Sequence, residues 1–130
     1  MKTVKKEMTL EQFLMLNPVL KKFYSGIMEF DKALEITKEI IKPLNEIQEN
    51  HDNVLEAYRK ESKYATDERK IEIEAEYREM LKTQKVELTI AKISSEDAKR
   101  SGITNPNELA LVFDYIEEPT KKAKTTKAKT

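Results

Sequence analysis

The feature that most restricts this chain is a long seam of helical spacing. From Asp31 to about Ser62, the apolar residues Ala33, Ile40, Leu44, Ile47, Val54 and Tyr58 recur on alternating three- and four-residue steps, with Thr37 and His51 filling the gaps. Leu34, Ile36, Ile41 and Leu55 widen this stripe to the breadth of a core-facing helix surface. A continuous helix over these residues would run about 48 Å at 1.5 Å per residue. Pro43 lies inside it, lacks a backbone N–H and crowds the preceding turn, so the pattern predicts a kink there or two abutting helices.

A polar break at Lys63 to Thr66 separates this seam from a second one carried by Ile73, Tyr77, Met80 and Leu81. Asp67 and Glu68 open the second segment, where the helix dipole favours negative charge. The two segments are expected to form an antiparallel hairpin, the second helix covering the distal half of the first. Val86, Leu88 and Ile90 then alternate with Glu87, Thr89 and Ala91, the period of a strand with one buried face. The only partner this reading offers is an extended connector at Ile27 to Phe30.

Short helices flank the hairpin. Thr9 and Gln12 have the spacing of a capping box ahead of Leu10, Phe13, Leu14 and Leu16, and Asn17-Pro18 reads as a second helix start that runs to Ser25-Gly26. Ser94 or Ser95 is placed to cap a short helix ending at Gly102, and Asn105-Pro106 to start another carrying Leu109, Leu111, Val112, Tyr115 and Ile116. The expectation is therefore a mainly α fold: a kinked antiparallel helical hairpin with short flanking helices and a minor two-stranded β element. Residues 1–8 read as a flexible basic N-terminus, 9–118 as one hairpin domain, and 119–130 as a disordered Lys-rich tail.

Composition narrows the function classes. Charged residues make up 37% of the 130, with two glycines and no cysteine, against averages of about 25% charged and 7% glycine. Without cysteine there is no disulfide framework, thiolate zinc site or cysteine nucleophile. Gly26 and Gly102 alone cannot supply a P-loop or a dinucleotide fingerprint. The longest apolar run, Leu109 to Phe113, is far short of the roughly 20 residues that span a bilayer. The lysines at 2, 5 and 6 are not followed by a signal-peptide pattern, so the expected compartment is the cytoplasm.

Formal neutrality conceals a division of charge. Residues 9–118 hold 16 basic and 23 acidic side chains, while 119–130 hold five lysines and no acid. An acidic body repels phosphate backbones, leaving Lys121, Lys122, Lys124, Lys127 and Lys129 as the candidates for any nucleic-acid contact. With no aromatic or arginine among them, that contact would be nonspecific.

Met28-Glu29-Phe30 ahead of the long helix, Lys42-Pro43-Leu44 within it, Asn53 to Lys60 as its continuation, and Lys85 to Ile93 followed by Asn107-Glu108-Leu109 form a set of local strings. Together they resemble a family of small uncharacterised proteins of tailed bacteriophages. The resemblance covers about residues 9–118. It implies a phage origin and a helical hairpin followed by a strand and a short C-terminal helix, and it supplies no mechanism. Ser25-Gly26 and Met28 stand where such proteins tend to have proline, and the Lys tail looks like an addition.

The chemistry-bearing candidates are few. His51, the only histidine, occupies a seam position and reads as a polar residue fixing register or facing a wet edge; a pH-sensitive or metal-binding group is the alternative. A di-iron bundle needs two Glu-x-x-His pairs, and position 48 is Gln. Glu72, Glu76 and Glu79 share a helix face but lack an Asp-rich loop, so they read as a solvated face paired with Arg69, Arg78 and Lys82. Ser94, Ser95 and Asp97 read as capping residues, since no Gly-x-Ser-x-Gly elbow accompanies them. Phe23, Tyr24 and Met28 belong to a cluster of large adaptable side chains, mostly core, of which any exposed remainder would be a partner-binding patch, as would His51.

These features lead to the expectation of a noncatalytic protein without cofactors. Its partner would be a phage structural protein or a host protein, with homo-oligomerisation open and no membrane contact. The alternative is a nucleic-acid-associated accessory protein working through its tail.

Overall fold

Helix α1 (Leu10–Tyr24) starts where the sequence places it: the Thr9 hydroxyl accepts from the Gln12 N–H at 3.2 Å and the Gln12 side chain accepts from the Thr9 N–H at 3.0 Å. In the computed structural model, which describes residues 1–117, it runs through Pro18 without restarting. Asn17 is thus no cap; it is buried and donates its Nδ2 to Gln48 Oε1 at 2.9 Å. Helix α1 is the centre of the core, burying Leu10, Phe13, Leu16, Val19, Leu20, Phe23 and Tyr24. The tail reading of 119–130 lies outside the described residues.

The hairpin forms in three pieces. Helix α2 (Phe30–Ile36) passes through a π-helical turn (Thr37–Ile41) into α3 (Lys42–Lys63), and α4 (Asp67–Thr83) returns antiparallel to it. The π turn explains how a long helix tolerates Pro43. Lys42 N–H reaches back five residues to the Thr37 carbonyl, so the ladder widens at the point where the proline removes its next donor and needs room for its ring. Across this turn Ile36, Ile40 and Leu44 all stay buried. The Thr66 hydroxyl caps α4 by accepting from the Arg69 N–H at 3.1 Å.

The sheet departs from the sequence expectation. Strand β2 (Lys85–Ala91) buries Val86, Leu88 and Ile90 as predicted, but its antiparallel partner is β1 (Thr3–Thr9), joined over seven residue pairs from Thr3 with Ala91 to Thr9 with Lys85. The basic residues before Thr9, expected to be flexible, thus form a strand. The connector after Ser25 is unavailable for pairing. Ile27 is buried in the core, the Arg100 Nε–H donates to the Gly26 carbonyl at 3.0 Å, and Phe30 is already helical.

A one-step parallel pairing, β3 (Ile93–Ser94) with β4 (Ile116–Glu117), closes the far end. Between them lie α5 (Ser95–Arg100), capped by Ser94, and α6 (Pro106–Val112), capped by Asn105, followed by a 3₁₀ turn (Phe113–Tyr115). Gly102 takes the positive φ of 79° that ends α5. Apart from Ile73 on α4, the buried apolar side chains of these pieces make one core.

Candidate functional site

Three of the four partner-binding candidates face inward. Phe23, Tyr24 and His51 are buried, and of the four only Met28, at 76%, is left as an exposed remainder. The Tyr24 hydroxyl is taken up by both backbone groups of Ala91, and burial, only partly offset by that contact, pushes its pKa up. The tail lysines lie outside the described residues.

His51 sits in a polar chain that crosses the base of the hairpin. Asn17 on α1 donates to Gln48 on α3, Gln48 Nε2 donates to Asp52 Oδ1 at 3.0 Å, His51 Nδ1 meets the same oxygen at 2.9 Å, and the Tyr77 hydroxyl on α4 lies 2.7 Å from His51 Nε2. The direction of each bond follows from Asp52. An ionised carboxylate only accepts, so it requires the amide of Gln48 and the Nδ1–H of His51. Where the ring is neutral, donation from Nδ1 leaves Nε2 to accept from the Tyr77 hydroxyl. The His51 hydrogen bond, followed by that of Gln48, holds the Asp52 carboxyl below its ordinary pKa, and burial raises that of Tyr77. Among the described residues Asn17 Oδ1 is buried without a hydrogen-bond partner.

Beside this chain is a cavity of about 140 Å³ lined by Leu10, Ile47, Val54, Met80 and Val86 with His51. Both ring nitrogens of His51 are already engaged and the Tyr77 phenol is raised, so the arrangement holds α1, α3 and α4 in register and offers no activated nucleophile. Among the described residues no three His, Asp or Glu side chains converge as a metal site. Glu72 and Glu76 instead bind Arg69 at 3.1 and 2.8 Å, together with Glu61 of α3 at 2.7 Å, and Arg78 pairs with Glu74.

Beyond His51 the hairpin changes character. Residues 52–75 contain a single buried side chain, Ile73, so among the described residues the two helices there have mainly each other. Tyr58 packs edge-on to Tyr77 at 6.2 Å, and with Leu55 and Ile73 they floor an open groove of about 270 Å³ rimmed by Arg59 and Lys70. Tyr64 at the turn and Ile71 on α4 are 85% and 70% exposed. The seam positions were legible; their lack of cover was not, because periodicity reports a face and not what meets it.

Comparison with protein-family models, curated proteins and solved structures finds no match to this chain. No helix of the described residues is long and apolar enough to cross a membrane.

Proposed function

We propose that this is a noncatalytic interaction protein that presents its helical hairpin to a protein partner. Following the resemblance of its strings to phage proteins, the setting is the phage cycle: particle or tail assembly, or occupation of a host protein in the host cytoplasm. The observation that carries the reading is the arm of residues 52–75, which holds one buried side chain yet exposes Tyr64 and Ile71. Large side chains exposed on an arm that, among the described residues, encloses little core are ready for a partner to cover. The acidic excess of residues 9–118 suits a basic partner surface, which favours rapid, selective encounter.

The test is affinity capture of the full-length chain from nuclease-treated infected and uninfected host lysates, beside a Tyr64→Ala, Ile71→Ala variant. The expected result is a stoichiometric protein partner retained by the parent chain, lost by the variant, and retained after deletion of residues 119–130. A partner that ignores the arm substitutions removes the contact from the hairpin. Binding that disappears with nuclease or with the tail favours the nucleic-acid accessory role instead.

A further inference from the structure

The two-stranded sheet has an open edge, and its side chains discriminate between the strands that could join it. Leu10 N–H donates to the Gln84 carbonyl at 2.8 Å and Lys92 N–H to the Lys2 carbonyl at 2.9 Å. With the register of β1 against β2, these bonds fix the even-numbered residues of β1 as the hydrogen-bonded pairs. The backbone groups of Thr3, Lys5 and Glu7 therefore point away from β2. On the opposite edge the same parity is satisfied at Ala91, whose N–H and C=O both bond Tyr24. Thr3, Lys5 and Glu7 are exposed, and among the described residues no third strand pairs with them.

The inward face of β1 reads Val4, Lys6, Met8. Val4 packs on the core, Met8 is buried, and Lys6, opposite the buried Leu88, is exposed. A lysine on the core side of an edge strand blocks careless edge-to-edge pairing. Its position sharpens the effect. In a ladder added at Thr3, Lys5 and Glu7, Lys6 falls in a non-hydrogen-bonded pair, where facing side chains approach most closely.

A second copy of this chain is therefore a poor occupant. The full-length antiparallel register sets Lys6 against Lys6 of the other copy, and the registers on either side set Lys5 against Lys5 or Glu7 against Glu7. The contacts of Lys5 with Glu7 in the full-length register lie on the wetted outer face. We propose that the β1 edge is a docking site for an extended peptide of another protein, with an acidic residue opposite Lys6 and apolar residues two positions to either side. The flanking apolar residues continue the Val4 and Met8 face, and the acid neutralises the lysine that excludes a second copy. This surface is separate from the hairpin arm and does not depend on it.

The probe is the acetylated, amidated peptide Thr-Val-Thr-Glu-Thr-Val-Thr, titrated into the full-length chain at low salt with amide chemical shifts and hydrogen exchange as readouts. A peptide with Lys in place of the central Glu serves as counterpart. The Glu peptide is expected to protect the Lys5 and Glu7 amides and to bind about fivefold more tightly than its counterpart, the scale of a facing charge pair. Lys6→Glu, at an exposed position, reverses the preference while leaving the fold intact. Absence of binding, equal binding of the two peptides, or protection centred on the hairpin overturns the proposal. So does a concentration-dependent dimer of the parent chain that protects the same two amides.

Discussion

The Tyr24 hydroxyl closes the edge of β2 at Ala91, lying 2.9 Å from both the carbonyl it donates to and the N–H it accepts from. One phenol thereby does the work of a missing neighbouring strand, between groups 67 residues apart. Tyr24→Phe keeps the ring in the core but leaves a buried donor and a buried acceptor without partners. The expected loss is about 2 kcal/mol, within the range for unsatisfied buried polar groups, read as a lower urea midpoint with unchanged slope. A loss below about 0.5 kcal/mol would mean that water reaches Ala91.

Gly26 and Gly102 are both replaceable by alanine on paper, and the structure separates them. A Cβ at Gly26 would lie 2.5 Å from Ser101 N and 2.8 Å from the Arg100 carbonyl carbon, as well as against the Asp97 carbonyl oxygen, all backbone atoms of α5 and its end. Backbone cannot turn aside, so Gly26→Ala must push the connector off α5, at a cost toward the upper part of the roughly 1–3 kcal/mol of overpacking. Gly102→Ala meets open space but carries the left-handed φ, which costs about 1–2 kcal/mol. Thermal unfolding of the two variants should rank Gly26→Ala as the more damaging; the reverse order would place the strain in the dihedral.

Asp97 makes stability depend on acid. Its side chain is 7% exposed; burial raises the pKa, but hydrogen bonding and charge from Lys32 at 2.9 Å, together with Arg100, outweigh that and hold the carboxyl below its ordinary value. A depressed folded-state pKa contributes stability that is fully present above the unfolded value near 3.9 and is lost as pH falls through the folded one. Asp97→Asn should therefore be less stable than the parent at pH 6, with a narrower gap at pH 2. Urea titrations at both pH values measure this, and a gap that stays constant rules out Asp97 as the titrating group.

What was legible in the sequence was local. The Thr9–Gln12 box, the Asn105-Pro106 start, the end at Gly102 and the Val86, Leu88, Ile90 alternation each depend on residues within a few positions, and each stands in the structure. The partner of β2 was not legible, because Lys6 interrupts the apolar alternation between Val4 and Met8 and the strand reads as a charged segment. Asn17-Pro18 has the chemistry of a helix start, yet Asn17 is drawn into the interior by Gln48. The seam position of His51 was visible, whereas its bonds to Asp52 and Tyr77 needed α4 laid against α3.

That contact with Tyr77 joins the arm to the body, and its removal should be felt on one side more than the other. Tyr77→Phe takes away the donor to His51 Nε2 while keeping the ring against Tyr58, so the lost term is a single hydrogen bond inside the interface, about 1 kcal/mol. Because residues 52–75 bury only Ile73, they have little else to hold them, and local opening follows the density of buried contacts. Hydrogen exchange in the variant should accelerate at α4 and the distal part of α3 while the amides of α1 keep the protection set by the main core. In the parent chain, long-range proton–nitrogen correlations should find a proton on His51 Nδ1, as the acceptor-only Asp52 requires. A bare Nδ1, or uniform acceleration that includes α1, would contradict the network as the element that locks arm to core.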